Sequence, residues 1–137
     1  MRKTVVLTVF LAAFCSVGTA FAEVVVVEAV ACTSVLDREP AGAVSEFPPD
    51  VGKIFVFTRV VGMSGGGAVT HRWIFGGETV AEVPLEVKGS PWRTWSSKNI
   101  LPHQKGAWKV DVAGEDGTVL KTVEFTVGQE TGAEKEK

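Results

Sequence analysis

Cysteine is scarce in this 137-residue chain, and so are histidine, positive charge and long apolar runs. Of two cysteines, Cys15 falls in an N-terminal stretch that reads as a secretory leader, which leaves Cys32 alone. A lone cysteine excludes an intramolecular disulfide in the exported part. Such a thiol is expected to be buried and inert; an intermolecular bridge or a reactive thiol is the alternative. Beyond the leader no segment approaches the ~20 apolar residues of a spanning helix. No helix-period pattern and no internal repeat occurs there either. The net charge is −2, and losing Arg2 and Lys3 with the leader makes the remainder more acidic. A nucleic-acid or anionic-lipid partner wants a basic face, so the balance argues against both.

What is present begins with that leader. Arg2 and Lys3 form a positive start, Val5 to Phe14 an apolar middle, and Ala20-Phe21-Ala22 a small-x-small cleavage site. Residues 1–22 are therefore expected to be a signal peptide, with export to the periplasm or beyond. A retained membrane anchor is the alternative. A lipoprotein through Cys15 is disfavoured, because Phe14 stands where processing wants a small residue. Residues 23–127 are one domain's worth of chain. Residues 128–137 are polar and charged and are expected to be a disordered tail.

Short β-branched and aromatic runs, separated by Gly, Pro and Asp, predict an all-β fold. The expected architecture is an immunoglobulin-like antiparallel β-sandwich of about seven to eight strands. The first run is Val24 to Cys32, with Val25, Val27, Ala29 and Ala31 expected inward. Thr33 to Gly52 is a proline-containing connection, with a short edge strand possible over Ala43 to Phe47. Lys53 to Val61 is apolar on both faces: Ile54, Val56, Thr58 and Val60 line one, Phe55 and Phe57 the other. Such a strand is central, or its second face is a binding surface. Ala68 to Phe75 and Thr79 to Val87 flank a Gly76-Gly77 hairpin turn. Pro84 marks the second of these as an edge strand. Trp92 to Ser97 is a further short strand, and a terminal hairpin turns over Gly114 to Gly117.

Few residues here carry chemistry. Gly62 to Gly67 lacks the Lys-Ser/Thr ending of a phosphate loop. His71, His103 and Cys32 match no metal spacing, and no serine-nucleophile elbow occurs. His71 shares a strand face with Trp73 and Phe75, either as a half-buried structural histidine or as a polar group in a cleft. No cofactor is implied. The densest feature is Pro91-Trp92-Arg93-Thr94-Trp95-Ser96-Ser97-Lys98. Trp73 and Trp108 have core phase. Trp92 and Trp95 have opposite parity, so one of them should face solvent in a regular strand. Exposed tryptophan is a platform for sugars or for a partner surface. Arg93 and Lys98 add donors; alternatively Arg93 stacks on a tryptophan and pairs with Glu82 or Glu86 as a structural clamp.

Several stretches together resemble a family. They are Val26 to Thr33, Arg38-Glu39-Pro40, Phe47-Pro48 through Gly52-Lys53, Phe57-Thr58-Arg59 and Thr70-His71-Arg72-Trp73. Trp92 to Lys98, Gly106 to Val112 and Phe125-Thr126-Val127 complete the set. Over Val24 to Val127 the chain resembles the bacterial domain-of-unknown-function family 2914. The resemblance implies an envelope setting and a shared pattern that includes Cys32, Arg59 and His71. It implies no activity, substrate or cofactor.

The reading that follows is an exported, non-enzymatic binding module. Its expected surface is His71, Arg72, Trp92, Arg93, Trp95 and Lys98, and its partner an envelope protein or a glycan. A purely structural or assembly domain is the alternative. A small hydrolase or metal-binding protein using His71 with Cys32 or Asp37 is a third reading.

Overall fold

The computed structural model describes residues 23–128. The expected signal peptide, and the expected tail beyond Gly128, lie outside the described residues. Every regular element described is a strand: β1 Val25–Cys32, β2 Ser34–Leu36, β3 Glu39–Ala41, β4 Glu46–Phe47, β5 Lys53–Val61, β6 Gly67–Phe75, β7 Glu78–Val87, β8 Trp92–Asn99, β9 Gly106–Ala113 and β10 Val119–Val127. The fold is all-β. One sheet has the order β1-β5-β8, a second β4-β10-β9-β6-β7, and β2 and β3 form a separate ribbon. Pairing is antiparallel except between β4 and β10.

The core lies where one face of the three-stranded sheet meets one face of the five-stranded sheet. Ile54, Val56 and Val60 on alternate positions of β5 are fully buried. Across from them Trp73, Trp108 and Phe125 form an aromatic cluster. Trp73 meets Trp108 edge-on at 6.5 Å and Phe125 at 6.3 Å, while Trp108 stacks on Phe125 at 6.0 Å. These are favoured aromatic geometries. The Trp108 indole N–H donates to the Gln104 carbonyl at 2.9 Å, so its one polar atom is satisfied. A second apolar cluster, Val26, Val60, Val69, Val87 and Val112, fills the other end.

Two expectations are corrected. In β1 the register slips between Val26 and Glu28, leaving Val27 as an extra residue. A bulge of this kind sets two residues against one and inverts the side-chain alternation. Val26 is therefore buried, while Val25 and Val27 point to solvent; Ala29 and Ala31 face inward as expected. The second correction concerns the long connection. It holds a hairpin, β2–β3, that turns at Asp37-Arg38 with φ of 50° and 62°. Two successive positive φ values are what a two-residue hairpin turn needs, and the usual pairs there are Asn-Gly and Asp-Gly. Asp37 suits the first place, but Arg38 stands where glycine is usual, so the pattern carried only half a hairpin signal. With β2 and β3 in that connection, the described residues hold ten strands, more than the expected seven to eight. β4 is a short edge strand and β7 an edge strand, and Gly76-Gly77 turns with both φ values positive.

Candidate functional site

The segment Trp92 to Asn99 forms edge strand β8 of the three-stranded sheet. Its register with β5 divides it into two faces. Trp92, Thr94, Ser96 and Lys98 lie opposite Val60, Thr58, Val56 and Ile54, on the inner face. Arg93, Trp95, Ser97 and Asn99 lie opposite Arg59, Phe57, Phe55 and Lys53, on the outer face. The two tryptophans therefore face opposite ways. Trp92 packs against the second apolar cluster. Trp95 is 36% exposed.

The inner face carries a chain of polar groups between the two apolar clusters. Thr58, His71 and Ser96 are all buried there. The Trp73 indole N–H donates to Ser96 Oγ at 3.2 Å, and Ser96 Oγ lies 2.6 Å from His71 Nδ1. On the ring's other side Nε2 lies 3.3 Å from Thr58 Oγ1, and that hydroxyl donates to the Thr94 carbonyl at 3.3 Å. Donor counting fixes the directions. Thr58 spends its single proton on Thr94, so it accepts from His71 Nε2–H. His71 Nδ1 is then an acceptor and takes the Ser96 proton. The chain runs Trp73 → Ser96 → His71 → Thr58 → Thr94, with every member satisfied and the imidazole neutral. Burial pushes the His71 pKa down to about 4, and a neutral ring is the form that this arrangement needs.

This geometry places His71 fully inside, neither half-buried nor in a cleft. It adds no area to a partner surface. Both ring nitrogens are engaged by Thr58 and Ser96, which leaves neither free for a metal. Cys32 does not join it. It lies opposite Phe55 on the outer side of the three-stranded sheet, fully buried, and burial pushes its thiol pKa up. Asp37 sits at the β2–β3 turn, exposed.

On the outer face the Trp95 ring lies nearly parallel to Phe57, at 6.4 Å and 16°. Phe57 is itself fully buried. Next to this pair Arg93 and Arg59 stand directly opposite each other. Arg93 Nη2 meets Glu39 of the hairpin at 3.0 Å, and the Arg38 guanidinium lies 5.5 Å over the Trp92 ring. The hairpin is thus clasped to β8 at two adjacent residues. The expected clamp is corrected: Arg93 pairs with Glu39 and not with Glu82 or Glu86, and the cation over a tryptophan is Arg38.

Besides His71 and the inward Trp92, two further residues of the expected surface lie elsewhere. Arg72 is on the outer face of the five-stranded sheet, since His71 and Trp73 point inward. It pairs with Glu82 at 3.1 Å across to β7, and Asp111 stands opposite on β9. The outer faces of two facing sheets point in opposite directions, so Arg72 cannot act together with Trp95. Lys98 has inner parity at the strand edge, and its Nζ donates to the Asn99 carbonyl at 3.5 Å. A surface hollow of about 480 Å³ also lies on the Arg72 side, between Ile74, Lys109 and Glu124. Thr58, Ser96, Phe57 and Glu39 were not among the six residues of the expected surface. A signal existed for Thr58, which puts a hydroxyl on a strand face that is otherwise core.

Residues 67–127 match the family model described as Protein of unknown function (DUF2914). The matched stretch takes in β6 to β10, hence His71, Trp73 and all of Trp92 to Lys98. Cys32, the β2–β3 hairpin and Arg59 precede it. No curated protein matches the chain.

Proposed function

Residues 67–127 make this chain a member of the DUF2914 family, and on that premise, which carries no activity, we propose that the protein is an exported, periplasmic, non-enzymatic module that docks an envelope component, protein or glycan, on the outer face of its three-stranded sheet. The module is an immunoglobulin-like β-sandwich, a reading supported by two sheets sharing one core. The observation that carries the docking is Trp95. Its ring is held flat by a buried phenylalanine, and more than a third of the residue is open to solvent. A rigid aromatic face adds contact area at little entropic cost, which is why tryptophan dominates binding hot spots. The hairpin clasp keeps Arg93 beside it.

The test is capture from a native periplasmic extract and on a glycan array, with Trp95→Ala as the comparison. Specific capture by the wild type, lost in a variant that melts normally, is the expected result. Equal capture by both proteins contradicts the proposal.

A second reading, a purely structural or assembly domain, draws on the buried chain from Trp73 to Thr94. Ser96 of the tryptophan segment there joins the two sheets through His71. On that reading Trp95→Ala unfolds the domain.

A further inference from the structure

We infer that the ligand of the Trp95 face is an acidic glycan, bound with a pyranose on Trp95 and its anionic group on the Arg59–Arg93 pair. The inference rests on the docking reading above and names the chemistry of the docked component.

Arg59 and Arg93 are register partners in β5 and β8, one step along the same face from Phe57 and Trp95. Like charges directly opposite each other destabilise a sheet. Glu39 offsets Arg93 alone. Glu28 is the register partner of Arg59 on the other side, yet among the described residues no carboxylate comes within salt-bridge range of Arg59. Its Nε is buried without a hydrogen-bond partner. That Nε is closed to solvent, so an arriving anion would meet the other guanidinium N–H groups of this half-buried arginine and supply the charge it lacks. The protein therefore keeps one uncompensated arginine, Arg59, next to the Glu39-paired Arg93 and beside its exposed tryptophan, although the chain as a whole is acidic.

The spacing suits a saccharide. Two strand residues advance ~7 Å, so a sugar ring on Trp95 carries a carboxylate or sulfate to the arginines. In the other direction Ser97 and Asn99 follow on the same face of β8, both exposed. The strip thus reads arginine, aromatic, hydroxyl, amide: a cation for an acid group, a platform for the apolar face of a pyranose, and hydrogen-bonding groups for its neighbours. A purely apolar protein contact has no use for the uncompensated arginine.

The probes are oligogalacturonate hexamer and its methyl ester, and heparin hexasaccharide and its desulfated, carboxyl-reduced form. Binding to the protein is read by calorimetry and tryptophan fluorescence. Binding of at least one acidic probe is expected, weakened by salt and at least about tenfold stronger than its neutral counterpart. Arg59→Gln and Arg93→Gln should each lose about tenfold for that probe, with melting temperatures checked alongside. Trp95→Phe should retain most of the binding and Trp95→Ala little. Equal binding of acidic and neutral forms, with both lost in Trp95→Ala, overturns the acidic inference and leaves the docking surface standing. No saccharide binding, with Trp95-dependent capture of a protein from the extract, overturns the glycan assignment alone. No binding in either assay removes both.

Discussion

Ser96 Oγ lies 2.6 Å from His71 Nδ1, inside the core and across the gap between two sheets. One residue earlier, Trp95 points out of the same sheet. The alternation of a single strand thus divides its residues between holding the fold and facing outward. The short contact also sets the protonation of the histidine, because Thr58 and Trp73 fill the remaining donor and acceptor positions. His71 is the neutral tautomer with its proton on Nε2. Nitrogen NMR of the imidazole at pH 7 should find Nδ1 unprotonated and Nε2 protonated. The opposite tautomer, or an imidazolium, contradicts the chain.

Thr58→Val keeps the side-chain shape and removes the hydroxyl. His71 Nε2–H and the Thr94 carbonyl then lose a partner, at a cost of about 2 kcal/mol. Chemical denaturation measures it. A neutral result means that the hydroxyl contributes nothing to the chain.

Acid should destabilise this domain earlier than carboxylate titration does. The folded pKa of His71 is about 4, below the ordinary value of 6.5. As pH falls through 6.5 the unfolded chain takes up a proton that the folded chain refuses, and stability declines until pH reaches about 4. The full loss is about 3 kcal/mol at most. His71→Gln should flatten the slope between these limits. An unchanged slope means that the histidine protonates in place.

Cys32 should react slowly with thiol reagents in the native protein. It is fully buried beside the β2–β3 hairpin, and its pKa is raised by that burial. Labelling at pH 8 should accelerate sharply in denaturant. Fast labelling of the native protein means that the hairpin opens freely.

Strand phase in the sequence carried much of this account. β5, β6, β9 and β10 follow the alternation of their apolar residues, and the opposite parity of Trp92 and Trp95 predicted the outward tryptophan. Three features escaped for physical reasons. The bulge at Val27 leaves no mark in a run of valines, since either phase is equally apolar. The hairpin turn at Asp37-Arg38 puts an arginine, which rarely takes positive φ, where glycine is usual, and the cation over Trp92 that accompanies it depends on tertiary contact. The polar chain joins residues from three strands, and no sequence spacing brings Thr58, His71 and Ser96 together. Arg72 was grouped with the tryptophans through its neighbours in sequence, whereas alternation sends it to the far side of the fold.

The division of labour between Trp95 and Ser96 is tested most directly by melting Trp95→Ala and Ser96→Ala side by side. Ser96→Ala strips a partner from both Trp73 and His71 in the dry core, about 3 kcal/mol. It should lower Tm by more than about 10 °C. Trp95→Ala removes a half-exposed ring and one stacking contact, and should shift Tm by only a few degrees. A collapse of Trp95→Ala beside a near-normal Ser96→Ala contradicts the account, because the outward tryptophan is then the structural residue.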